Sequence, residues 1–124
     1  MVEFIIILPA VLLLLFATFE VSRLWLTVGI VAEAAREGAR TAAVTPAPFS
    51  VAPAIARIGA VLATANLSTS STPTVTCSPA CDPNSGATVT STVTVQFVTP
   101  IPLLIPLFGS SLAVQQTSQM RYEE

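Results

Sequence analysis

The chain has 124 residues, a formal net charge of −2, and 10% charged against 52% hydrophobic residues, with a mean hydropathy of +0.76. Soluble domains keep about a quarter of their residues charged, so this composition calls for a membrane, for many copies of the same chain, or for a coat of another kind. The absence of His and Lys removes the usual general base, the Schiff-base amine and the commonest metal ligand, so no enzyme and no cofactor is expected, and five Arg without a basic patch give nucleic-acid binding little support.

The N-terminal segment reads as one long helix living in two environments. Phe4 to Phe19 is an uncharged run of 16 residues between Glu3 and Glu20, slightly short of the roughly 20 that span a bilayer. Apolar character resumes after Arg23 at Leu24, Trp25, Leu26, Val28, Ile30 and Val31. Glu20 and Arg23, at i,i+3, partly neutralise each other, and Trp25 beside them suits a membrane–water boundary. An ordinary single-span anchor accounts for this much.

From Val31 to Ala43 the texture changes. Ala32, Ala34, Ala35, Gly38, Ala39, Ala42 and Ala43 form a surface of small side chains on which backbones approach closely. Glu33/Arg36 and Glu37/Arg40 repeat the i,i+3 pairing of opposite charges. A helix from Glu3 to about Val44 is about 60 Å long, about twice a bilayer's hydrocarbon thickness. Its second half must therefore lie against a globular domain or neighbouring copies. Pro9 cannot donate to the carbonyl of Ile5, which predicts a kink or a loosened first turn. Glu3 is costly to bury unpaired and needs either the interface or a cation from another chain.

As a set, Val2-Glu3-Phe4, Leu8-Pro9, the Leu/Phe run, Glu20 and Ala34-Ala35-Arg36-Glu37-Gly38-Ala39-Arg40 resemble the TadE-like family of pilins and pseudopilins, from the tight-adherence branch of type IV pili. The resemblance covers about the first 44 residues, and the tail Met120-Arg121-Tyr122-Glu123 also looks like the family's C-terminal end. It implies a precursor cut by a prepilin peptidase, held in the inner membrane, and then drawn by the pilus assembly machinery into an extracellular filament or its tip. The assembly residues it implies are Glu3, Phe4, Pro9, Glu20, Arg23, Arg36, Glu37 and Arg40. Glu3 takes the role of the glutamate that pairs with a neighbour's terminal amine. The family pattern places that glutamate fifth after the cleavage site; here it is third, without a basic leader ending in Gly before it.

Thr45-Pro46-Ala47-Pro48 ends the first helix. Val51, Ile55, Ile58 and Leu62 recur at helical spacing, so Ala52–Ala65 reads as a short amphipathic helix with Arg57 off its apolar stripe. Ser68–Thr94 holds 14 Ser/Thr in 27 residues. Within it Thr74-Val75-Thr76 and Ala87–Val98 alternate with strand period, Val89, Val93, Val95 and Phe97 opposing Thr88, Thr90, Thr92 and Thr94. Leu112–Arg121 supplies a third strand, the minimum for a stable small sheet. Either β-propensity alone accounts for the Thr face, or Thr88, Thr90 and Thr92 carry O-glycans; Asn66-Leu67-Ser68 matches the N-glycosylation pattern. Cys77 and Cys81, the only cysteines, read as one disulfide pinning a turn; a metal site would lack two ligands. Pro100–Phe108 holds three prolines in an otherwise mostly apolar stretch, which either covers the domain's own core or docks on a neighbouring subunit.

The expectation is an α+β chain: residues 1–44 a hydrophobic pilin helix, residues 45–124 a small head packed on its C-terminal half. The first functional reading is a structural subunit that polymerises through its helix into a Tad-type filament used for surface attachment. The alternatives are an accessory pseudopilin that primes or caps assembly, and a membrane-anchored binding module.

Overall fold

The computed structural model describes residues 2–46, 48–81, 86–98 and 111–122. Five elements follow in order: α1 (Val2–Ala43), α2 (Ala52–Thr64), β1 (Thr74–Ser78), β2 (Thr88–Val98) and β3 (Ser111–Arg121). The fold is α+β, a long helix carrying a small antiparallel sheet with order β1-β2-β3.

α1 is assigned as helix without a break through Pro9. Its last turn closes by backbone bonds from Val44 and Thr45 to the carbonyls of Arg40 and Ala42. The Thr45 hydroxyl adds a bond to the Thr41 carbonyl at 2.8 Å, and Pro46 then stops the helix. α2 begins with Pro53 in its first turn, where a missing N–H costs nothing. It ends at Asn66, whose φ of 55° is the left-handed conformation that Asn tolerates, while Leu67 N–H bonds back to the Leu62 carbonyl.

β2 is the central strand and pairs along its whole length with β3, from Thr88↔Arg121 to Val98↔Ser111. β1 covers the other edge of its first half, Thr74↔Thr92 to Ser78↔Thr88. Period-two alternation puts Val89, Ser91, Val93 and Val95 inward and buried. These residues meet Val31, Ala34, Ala35 and Ala42 of α1, Ala54, Ile58 and Leu62 of α2, and Val75, Val114 and Tyr122 in one core. The small side chains on α1 are thus consumed within the chain, as the bed on which α2 and the sheet both lie.

Gly38 shows how close that approach is. A Cβ there would lie 2.6 Å from Ile58 Cγ1 and Cδ1 and 2.8 Å from Ser91 Oγ, closer than real contacts allow. Glycine is therefore the size limit for α1 where α2 and β2 converge on it.

Three expectations shift in detail. The buried stripe of α2 is Ala54, Ile58 and Leu62, whereas Val51 is exposed and Ile55 only half-buried; an alanine is what allows α2 to sit tightly on the small-residue face of α1. Ser91 joins the buried face of β2 although it is polar, because the pleat assigns faces by position and not by residue type. Thr88, Thr90, Thr92 and Thr94 are half-buried rather than open, since β2 has neighbours on both edges. Thr92 and Thr117, opposite each other, place their hydroxyls 3.1 Å apart.

Candidate functional site

The surface that stands out is α1, and it divides at Glu20. Between Val2 and Phe19 no residue is buried, and the large apolar side chains are 43% (Leu12) to 71% (Val2, Ile6) exposed. α1 is the one helix among the described residues that is long and apolar enough to cross a membrane. Its hydroxyls suit that surface, since Thr18 donates to the Leu14 carbonyl at 2.8 Å and Ser22 to the Thr18 carbonyl at 2.9 Å. Neither hydroxyl hydrogen is thereby left to demand water.

Glu20 is the first residue the head covers, at 2% exposure. Its Oε1 accepts from Arg23 Nη1 at 3.1 Å, while its Oε2 is buried with no hydrogen-bond partner. The guanidinium of Arg23, half-exposed, also lies 5.5 Å from the centre of the Phe97 ring, a cation–π distance. Phe97 sits near the far end of β2, so this trio ties the sheet's outer end to the point where α1 leaves the head. Trp25, 80% exposed, stands just beyond it.

Further along, two of the expected i,i+3 pairs do not form. Glu37 Oε1 accepts instead from Arg57 Nε of α2 at 2.9 Å, because α2 packs beside α1 and brings its one cation within reach. That leaves Glu33, Arg36 and Arg40 exposed on α1 with no ion pair among the described residues. Arg40 instead joins Arg121 of β3 in lining a shallow cleft of about 330 Å³ floored by Ala43, Val44 and Met120. Glu3 and Phe4 lie exposed at the opposite end of α1, about 55 Å from Arg40 along the helix.

In the head, Cys77 and Cys81 lie at disulfide range, with Cα atoms 5.7 Å apart. Asn66 is exposed in the turn after α2. The apolar, proline-rich stretch Pro100–Phe108 and the residue Glu123 lie outside the described residues.

Tyr122 carries a structural role that sequence reading did not assign. It is buried, donates its hydroxyl to the Thr45 carbonyl at 2.8 Å, and packs edge-on against Phe49 at 6.0 Å. Its N–H bonds to the Ala87 carbonyl at 2.8 Å. The last residue of the described chain therefore locks the end of α1 to the start of β2. The signal available was that Tyr122 is the chain's only Tyr, and buried tyrosines normally find a partner for the hydroxyl.

No curated protein and no solved structure matches the chain significantly. Residues 1–40, nearly all of the helix just described, match the family model described as TadE-like protein.

Proposed function

We propose that this chain is a structural subunit of a Tad-type type IV pilus, polymerising through α1 into an extracellular filament used for surface attachment. The observation that carries the reading is the split of α1: residues 2–19, apolar apart from Glu3 and Thr18, include no buried side chain, whereas from Glu20 onward one side of the helix is covered by the head. A helix that is apolar on every face requires burial. A bilayer provides it before assembly, and a bundle of parallel copies provides it afterwards, in either case worth roughly 1.5–3 kcal/mol per fully covered Leu, Ile or Phe relative to exposure to water.

The head, held firmly on the second half of the helix, then faces outward in every copy. Its Cys77–Cys81 pair serves as a disulfide at the tip of the β1 end. The partners are copies of the same chain, the inner membrane before assembly, a prepilin peptidase and the assembly machinery. Glu3 meets the N-terminal amine of an adjacent copy, so that the only acid in an apolar surface is neutralised as the bundle forms.

The test is Glu3→Leu. It should leave the protein in the membrane at its usual level while removing filaments from the cell surface. Normal filaments built from this variant would refute the role given to Glu3.

A further inference from the structure

Three charges on the outer side of α1 remain unused by the fold: Glu33, Arg36 and Arg40 are exposed and unpaired among the described residues. At 3.6 residues per turn they share one stripe of the helix surface, continuous with Trp25, Leu26 and Gly29, all six falling within an arc of about 100°. Each of the six is exposed, and the stripe lies away from the side of α1 that holds the head except at Arg40, which borders the cleft shared with Met120 and Arg121.

We propose that this stripe is the contact between neighbouring copies of the chain, and that Glu33 of one copy pairs with Arg36 or Arg40 of the next, fixing their axial stagger. The inference rests on the polymer reading above and adds a register to it. Neighbours must be parallel, because only then do the uncovered segments 2–19 bury one another; an antiparallel pair would set the apolar half of one helix against the head of the other. Parallel copies with no stagger would face Glu33 with Glu33 and each arginine with itself, which is repulsive. Sliding one copy by three residues brings Glu33 opposite Arg36, and by seven brings it opposite Arg40. At 1.5 Å per residue these are offsets of about 4.5 and 10.5 Å. Arg121, which lines the same cleft as Arg40, adds a second cation at the longer offset.

The test uses the full chain in its own cells and measures its amount in sheared surface material against its amount in the membrane. Wild type, Glu33→Arg, the double variant Arg36→Glu/Arg40→Glu, and the triple variant combining all three are compared. The two partial reversals should each lower the surface amount roughly tenfold or more, as an attractive interfacial contact turns repulsive, with membrane levels unchanged. The triple variant restores opposite charges at the same stagger and should recover most of the wild-type amount. Unimpaired Glu33→Arg, or a triple variant as defective as the partial ones, would overturn the register while leaving the polymer reading intact. Wild-type chain missing from the sheared material would overturn both.

Discussion

Substituting Gly38 by Ala tests the joint on which the head's position depends. The added methyl would meet Ile58 Cγ1 and Cδ1 at 2.6 Å and Ser91 Oγ at 2.8 Å. Neither neighbour has free space, since Ile58 and Ser91 are both fully buried. Overpacking of this kind costs about 1–3 kcal/mol, and alanine's better helix propensity returns about 1 kcal/mol of it. The net expectation is a loss of up to ~2 kcal/mol, or a melting temperature lower by up to roughly 15 °C for a folded unit of this size. The assay is thermal unfolding of the full-length chain in detergent micelles, followed by the near-ultraviolet signal of Trp25 and Tyr122 and by far-ultraviolet circular dichroism. Ile58→Ala provides the internal check. It opens the space the methyl needs, so Gly38→Ala should cost much less in that background, with a coupling of about 1 kcal/mol or more. If the effect of Gly38→Ala is unchanged when Ile58 is truncated, the close convergence of α1, α2 and β2 is wrong.

Three further outcomes follow from the same core. Arg23→Met leaves the Glu20 carboxylate buried without its one partner and should lower stability by ~1–3 kcal/mol, whereas Glu20→Leu/Arg23→Met, which removes both charges, should recover most of that loss in the same melting assay. Tyr122→Phe removes the bond to the Thr45 carbonyl and should cost ~1 kcal/mol, seen together with faster hydrogen exchange in the last turn of α1. Ser91→Ala removes a buried hydroxyl that has no partner and should leave stability equal or raise it by up to ~1 kcal/mol; a marked loss would mean that the hydroxyl is hydrogen-bonded after all.

Much of the fold was legible in the sequence because each element has one dominant period. The apolar run and the small-residue face announce α1, the 4-3-4 spacing announces α2, and the Val/Thr alternation announces β2. What could not be read is which tertiary neighbour takes each side chain. The i,i+3 rule pairs Glu37 with Arg40 because it considers one helix at a time, while in the fold Arg57 arrives from α2 at 2.9 Å. The same limit hid Phe97 beside Arg23, since 74 residues separate them in the chain. It also hid the meeting of Tyr122 with Thr45, which are 77 residues apart. At Ala54 and Ser91 the inward residue is not the most hydrophobic one nearby, so a pattern that follows hydrophobicity misses both. The candidate assembly surface was legible in its composition, yet the fold was needed to show that most of its alanines are already used by the head, while the charges at Glu33, Arg36 and Arg40 stay exposed.

The central claim is that this chain builds a filament, and the most direct measurement is intact-mass analysis of filaments sheared from the cell surface and imaged in parallel by electron microscopy. This chain is expected to be the dominant component, with a mass lower by about 2 Da for one disulfide. Filaments in which the chain is absent or a trace component would contradict it and would identify the chain as an accessory pseudopilin.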